Sequence, residues 1–125
     1  MLPALRDLPQ LRLVIPIPPS SNNLFLNVNG RVAGKSRVKG AKYRAWLHDA
    51  GWAARAAAGS CHFARPVRIL VEADLSGRRD LDNALKPILD LLVYMHILAD
   101  DSLVNDLRIV RRGSKTEAAV SIWPM

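Results

Sequence analysis

Between Asp80 and Asp101 this sequence gathers carboxylates, a cation and a helix start. It runs Arg78-Arg79-Asp80-Leu81-Asp82-Asn83, continues to Lys86 and Asp90, and meets Asp100-Asp101 after an apolar stretch. The whole chain has 11 acidic residues against 18 lysines and arginines, so this concentration of acid stands out against its background. Two readings compete for it. In one, Asp80 or Asp82 caps a helix, Asp82, Lys86 and Asp90 make ion pairs four residues apart, and Asp100-Asp101 fills a turn. In the other, carboxylates from the helix mouth join one from the second acidic pair to make an oxygen-rich site for Mg²⁺ or Mn²⁺. Metal-assisted cleavage of a phosphodiester is the chemistry such a site serves, with arginines and a lysine alongside to meet phosphate.

The elements that must position these residues follow from periodicity. Leu81, Ala84, Leu85, Ile88, Leu89, Leu92 and Met95 recur at three and four, which predicts an amphipathic helix over residues 80 to 95. Upstream, Val67, Ile69, Val71 and Ala73 alternate with polar or mixed residues, which predicts a strand from Pro66 to Asp74 that feeds the helix. Glu72 and Asp74 at its end fit surface salt bridges better than metal ligation. Leu11 to Ile17 reads as a short strand, ended by Pro16, Pro18 and Pro19, and residues 1 to 10 read as a loose leader. Pro18-Pro19-Ser20-Ser21-Asn22-Asn23 reads as a strand-ending turn.

A second helix is expected from about Ala41 to Ala58, with Tyr43, Leu47, Ala50, Ala54 and Ala57 near one face and Gly59-Ser60 at its end. After the acidic pair, Val104 to Arg111 and Ala118 to Trp123 read as strands joined in a hairpin by Arg112-Gly113-Ser114-Lys115. The order is strand, loop, helix, strand, helix, hairpin. It predicts one α+β domain over residues 11–125, two main helices packed against a mixed sheet.

Composition narrows the function. The chain has 125 residues, enough for one domain with one core. A net charge of +7 favours a polyanionic partner, nucleic acid first. Asn29 to Arg44 contains Arg31, Lys35, Arg37, Lys39, Lys42 and Arg44 with no acid, so it reads as an arm for phosphate backbone, or as a solvated positive loop. Arg78 and Arg79 read as further backbone clamps. Gly34-Lys35-Ser36 follows Gly30 one residue short of a phosphate-loop spacing, so no nucleotide cofactor is expected. One cysteine, Cys61, excludes an intrachain disulfide, and the three histidines form no spaced zinc cluster with it. No apolar run is long enough to span a bilayer and the start does not read as a signal peptide, so a cytoplasmic protein without a membrane partner is expected.

Pro18-Pro19-Ser20-x-Asn22, Asp80-x-Asp82-Asn83-x-x-Lys86-x-x-x-Asp90 and Asp100-Asp101-x-x-Val104 together resemble the RusA family of Holliday junction resolvases. The likeness extends from Leu11 to Trp123. It implies a homodimeric endodeoxyribonuclease that cuts four-way DNA junctions by paired nicks with Mg²⁺ or Mn²⁺. By resemblance Asp80, Asp82 and Asp101 take the places of the family's essential acids and Lys86 that of its essential lysine. The rivals are a non-catalytic nucleic-acid-binding module and a nuclease for flaps or replication forks. Trp46, Trp52 and Trp123 are candidates for a dimer surface, with core packing the competing role for each.

Overall fold

A computed structural model of the chain describes residues 8–19, 25–27, 37–75 and 81–125; for 25–27, 37–39 and 81–82 only the backbone course is described. The main sheet has four strands: β1 (Leu11–Pro16), β4 (Val67–Glu72), β5 (Val104–Val110) and β6 (Glu117–Pro124). A separate antiparallel pair is formed by β2 (Phe25–Asn27) and β3 (Arg37–Lys39), which flank the basic segment. Helix α1 (Ala41–Ala58) lies between β3 and β4, and α2 (Leu81–Tyr94) between β4 and β5. The sheet is mixed, as the sequence implied.

Strand order is β1-β6-β4-β5, with β4 antiparallel to β6 and parallel to β5. The expected hairpin of the last two strands is therefore corrected: β4 lies between them. Two facts explain the exchange. Val67, Ile69, Leu70 and Val71 are all buried, so β4 gains most from two neighbours and takes a central place. The basic turn also folds over the end of β4: Ala73 donates its N–H to Val110, Arg112 donates to Ala73, and Asp74 donates to the Ser114 carbonyl. These bonds carry the chain across β4 instead of back along β5.

Alternation puts Leu13, Ile15, Val67, Ile69, Val71, Val120 and Ile122 on one face, each at most 1% exposed. Both helices cover that face. α1 contributes Tyr43, Trp46, Ala50 and Ala54, and α2 contributes Ala84, Ile88, Leu91 and Leu92. Trp46 belongs to this core, at 5% exposure, and donates its indole N–H to the Pro16 carbonyl at 2.7 Å, so it is not a surface residue. Ala57, expected on the apolar face, is exposed, and the last helical turn buries Ala58 instead. Trp52 is 69% exposed, and Trp123 is half-buried.

Gly51 lets the two helices approach. A Cβ there would stand 3.2 Å from the Met95 sulfur, so the residue that weakens α1 by propensity is set by packing against α2. Arg55 fastens the same contact by donating to the Met95 carbonyl. Gly59 ends α1 in a left-handed conformation, φ 57°, with its N–H on the Arg55 carbonyl.

Candidate active site

Helix α2 decides where the acids stand. It follows β4 and leads back to β5, which begins where Val67 faces Val104 across the parallel pair. At its far end His96, with φ 59°, turns the chain, and Ile97 and Leu98 both donate to the Leu92 carbonyl. Leu98 then bridges to Phe63, while Ala99 donates to the Phe63 carbonyl. Asp101 opens the short 3₁₀ turn Asp101–Leu103 that leads into β5.

Asp82 occupies the first turn of α2, and its side chain lies outside the described residues. At about 1.5 Å of rise per residue, roughly 15 Å of helix separates Asp82 from Leu92, where the chain turns toward Asp101. Two carboxylates on one metal ion need backbones within about 10 Å, since each ligand oxygen stands about 2.0–2.6 Å from the ion. The length of α2 exceeds that reach, but the side chains of Asp80 and Asp82 lie outside the described residues, and with them the expectation that the two acidic clusters meet. Asp80 lies outside the described residues, as do Arg31, Lys35, Arg78 and Arg79. Arg37 and Lys39 are the ends of β3, whose side chains are not described, and Lys42 is exposed in the first turn of α1.

The structure separates the two residues of the second acidic pair. Asp100 is committed to the turn: its carboxylate accepts the Ser102 N–H at 3.1 Å and the Ser102 hydroxyl. These bonds hold its carboxyl below the usual range, so this cap persists at neutral pH and is lost as pH falls through that lowered value. Asp101 is exposed and enters no side-chain hydrogen bond or ion pair among the described residues. It is the member of the pair available to a cation.

Lys86 sits one turn beyond Asp82, on the exposed side of α2. Its Nζ is 3.5 Å from Asp90, and the two side chains are 80% and 46% exposed, a contact worth at most a few tenths of a kcal/mol. Asp90 also raises the Tyr43 phenol pKa, after the larger effect of burial. Lys86 is thus not needed to hold the helix. Lys86→Ala is expected to change unfolding free energy in urea by less than about 0.5 kcal/mol. A larger loss would mean the lysine is structural. Glu72 pairs with Arg112, which fits the salt-bridge role expected for it. Among the described residues, no helix is long and apolar enough to cross a membrane.

The family Endodeoxyribonuclease RusA matches residues 16–123, a span that takes in both acidic clusters. The chain is 34% identical over 104 residues to a crossover junction endodeoxyribonuclease rusA of Enterobacteria phage HK97, covering 82% of each chain. It is 30% identical over 115 residues to a crossover junction endodeoxyribonuclease RusA of Escherichia coli O139:H28 (strain E24377A / ETEC), covering 87% of this chain and 92% of the relative. With the family match running from the end of β1 almost to the end of β6, the chain belongs to the RusA family of endodeoxyribonucleases.

Proposed function

We propose that this protein is a metal-dependent endodeoxyribonuclease that resolves four-way DNA junctions by paired phosphodiester hydrolysis, in recombination and repair, as a homodimer. The observation that carries the reading is the family match over residues 16–123, a span that takes in residues 80–86 and 100–101, with relatives named for crossover junctions aligned over most of their length. DNA as substrate puts the enzyme in the cytoplasm.

Asp80, Asp82 and Asp101 are the residues to hold Mg²⁺, or Mn²⁺ in its place. The donor set fits: all three offer hard carboxylate oxygens, no thiolate or imidazole is among them, and Asp101 presents an uncommitted carboxylate at the surface. When bound, the cation supplies Lewis-acid charge for the phosphoryl oxygens and lowers the pKa of a water. The length of α2 between Asp82 and the turn at Leu92 supports a set that draws Asp80 and Asp82 from one copy and Asp101 from the other. Catalysis then requires the dimer, which also suits the two-fold symmetry of a junction. Lys86, one turn from Asp82, touches the scissile phosphate or orients the water as a compact point charge. Arg31, Lys35, Arg37, Lys39 and Lys42, with Arg78 and Arg79, hold the phosphate backbone of the arms.

The test is a substrate panel with Mg²⁺ and with EDTA: a synthetic four-way junction, a flap, a fork, linear duplex and single strand. Symmetric cuts in the junction with linear duplex spared are expected. Equal cutting of flaps or forks would redirect the reading to a broader branch nuclease. Tight binding without cutting, in Mg²⁺ and in Mn²⁺, would make the protein a non-catalytic binding module.

A further inference from the structure

Of the three aromatic residues on α1 other than histidine, two are core and one is not. Tyr43 and Trp46 are buried, whereas Trp52 is 69% exposed, and Tyr94 at the end of α2 is 65% exposed. Trp52 and Tyr94 line one groove between the helices, together with Leu47, Gly51, Arg55 and Met95. It encloses about 300 Å³, the small end of the roughly 300–1,000 Å³ usual for ligand pockets. Trp52 is held in position there: its indole N–H donates to His48 Nε2 at 3.3 Å, and His48 Nδ1 faces the Asp49 carboxylate at 3.2 Å, the tautomer that leaves Nε2 free to accept. Arg55 brings charge to the same groove. It donates to the Gly59 and Met95 carbonyls and, among the described residues, pairs with no carboxylate. No acidic residue among the described ones lines the groove.

We propose that this groove binds an unpaired nucleobase of the DNA substrate, with Trp52 and Tyr94 as its stacking surfaces and the Arg55 charge drawing in the adjoining phosphate. The inference rests on the reading that the substrate is branched DNA. Flat aromatic side chains left in water suit a ligand with a π-face, and an arginine that no acid neutralises suits an anion; a nucleotide offers both. Bases inside a duplex are already stacked and paired, so the groove selects those freed at a branch point or a frayed arm. Its place on the molecule favours the same ligand. Lys86, Asp90 and Tyr94 follow at four-residue steps along the exposed side of α2, and about 12 Å of helix runs from Lys86 to Tyr94. One strand of B-form DNA advances about 3.4 Å per nucleotide, so a strand whose phosphate meets Lys86 reaches the groove within about four nucleotides. A base captured there fixes the register of that strand relative to Lys86.

The test uses the full-length protein in EDTA and a fluorescein-labelled single-stranded oligothymidylate of about ten nucleotides, read by fluorescence anisotropy. An abasic strand and a blunt duplex of the same length are titrated beside it. Trp52→Ala and Tyr94→Ala are each expected to weaken oligothymidylate binding about tenfold and to leave abasic-strand and duplex binding within about twofold, while Trp52→Phe keeps most of the affinity. Both side chains stand outside the core, and two positions are used so that a defect in one leaves the other to report. Equal losses on the abasic strand or on the duplex would mean phosphate contact or damage to the fold, and no loss from either variant would mean an idle groove; each result overturns the proposal. So would a fall in the sedimentation mass of Trp52→Ala with oligothymidylate binding unchanged, which assigns the groove to contact between copies. Cleavage of the four-way junction in Mg²⁺ is scored separately. Base-dependent binding lost in both variants, with no cleavage by the parent protein, keeps this site and rejects the nuclease reading. Cleavage without base-dependent binding does the reverse.

Discussion

Two inactive proteins regain the ability to nick a cruciform plasmid when their subunits are mixed: this is the expected result for Asp82→Asn and Asp101→Asn. Each homodimer alone lacks one ligand in both of its sites, and cleavage falls on the order of a hundredfold or more. In the mixed dimer both defects fall in one site, and the other receives an intact Asp82 from one subunit and an intact Asp101 from its partner. Random pairing makes about half the dimers mixed, so about a quarter of the wild-type sites return. The product should be nicked circles with little linear DNA, because one working site cuts one strand. Each variant should still bind the junction, as tightly as the parent or somewhat more so, since a charge that repels phosphate is gone. No nicking from co-expressed subunits that are folded by circular dichroism would mean that each site is built within one chain.

Neutralising Arg31, Lys35, Arg37 and Lys39 together should weaken junction binding and flatten its dependence on salt. Every phosphate that the protein no longer neutralises takes roughly 0.9 from the log-log slope, so four of them take up to about 3.6. Between 50 and 200 mM salt, the wild-type protein should then lose on the order of a hundredfold more affinity than the variant. The domain should still fold, as judged by circular dichroism. An unchanged slope in a salt titration would reduce the segment to a solvated surface.

The elements that place the site were legible because each carries a simple period. Val67, Ile69 and Val71 alternate cleanly, and Leu81 to Leu92 keep three-four spacing, so β4 and α2 were readable almost to their ends. Pairing was less legible. The Arg112–Lys115 turn has hairpin composition, and its bonds to Ala73 and Asp74 link residues almost forty positions apart, which no local signal encodes. Trp46 was equally ambiguous, since an aromatic at helical spacing suits a core or an interface until its partner, the Pro16 carbonyl, is known. In the acidic clusters the residue types were readable but their separation was not. Where the turn of Asp101 stands relative to β4 depends on β4 and β5 being parallel, and that again is a matter of pairing.

The place of β6 has a consequence for how the protein comes into being. Last of the strands in the chain, it lies between β1 and β4 and pairs Leu11 with Ile122. During synthesis β1 emerges early and has no sheet partner among the described residues until β6 follows, so the native sheet closes only once β6 is made. Chains interrupted before Ala118 lack the strand that joins β1 to the rest, and they expose the apolar faces of β1 and β4 to proteolysis. A nuclease built this way cannot present a folded active surface to DNA from a product that stops short of β6.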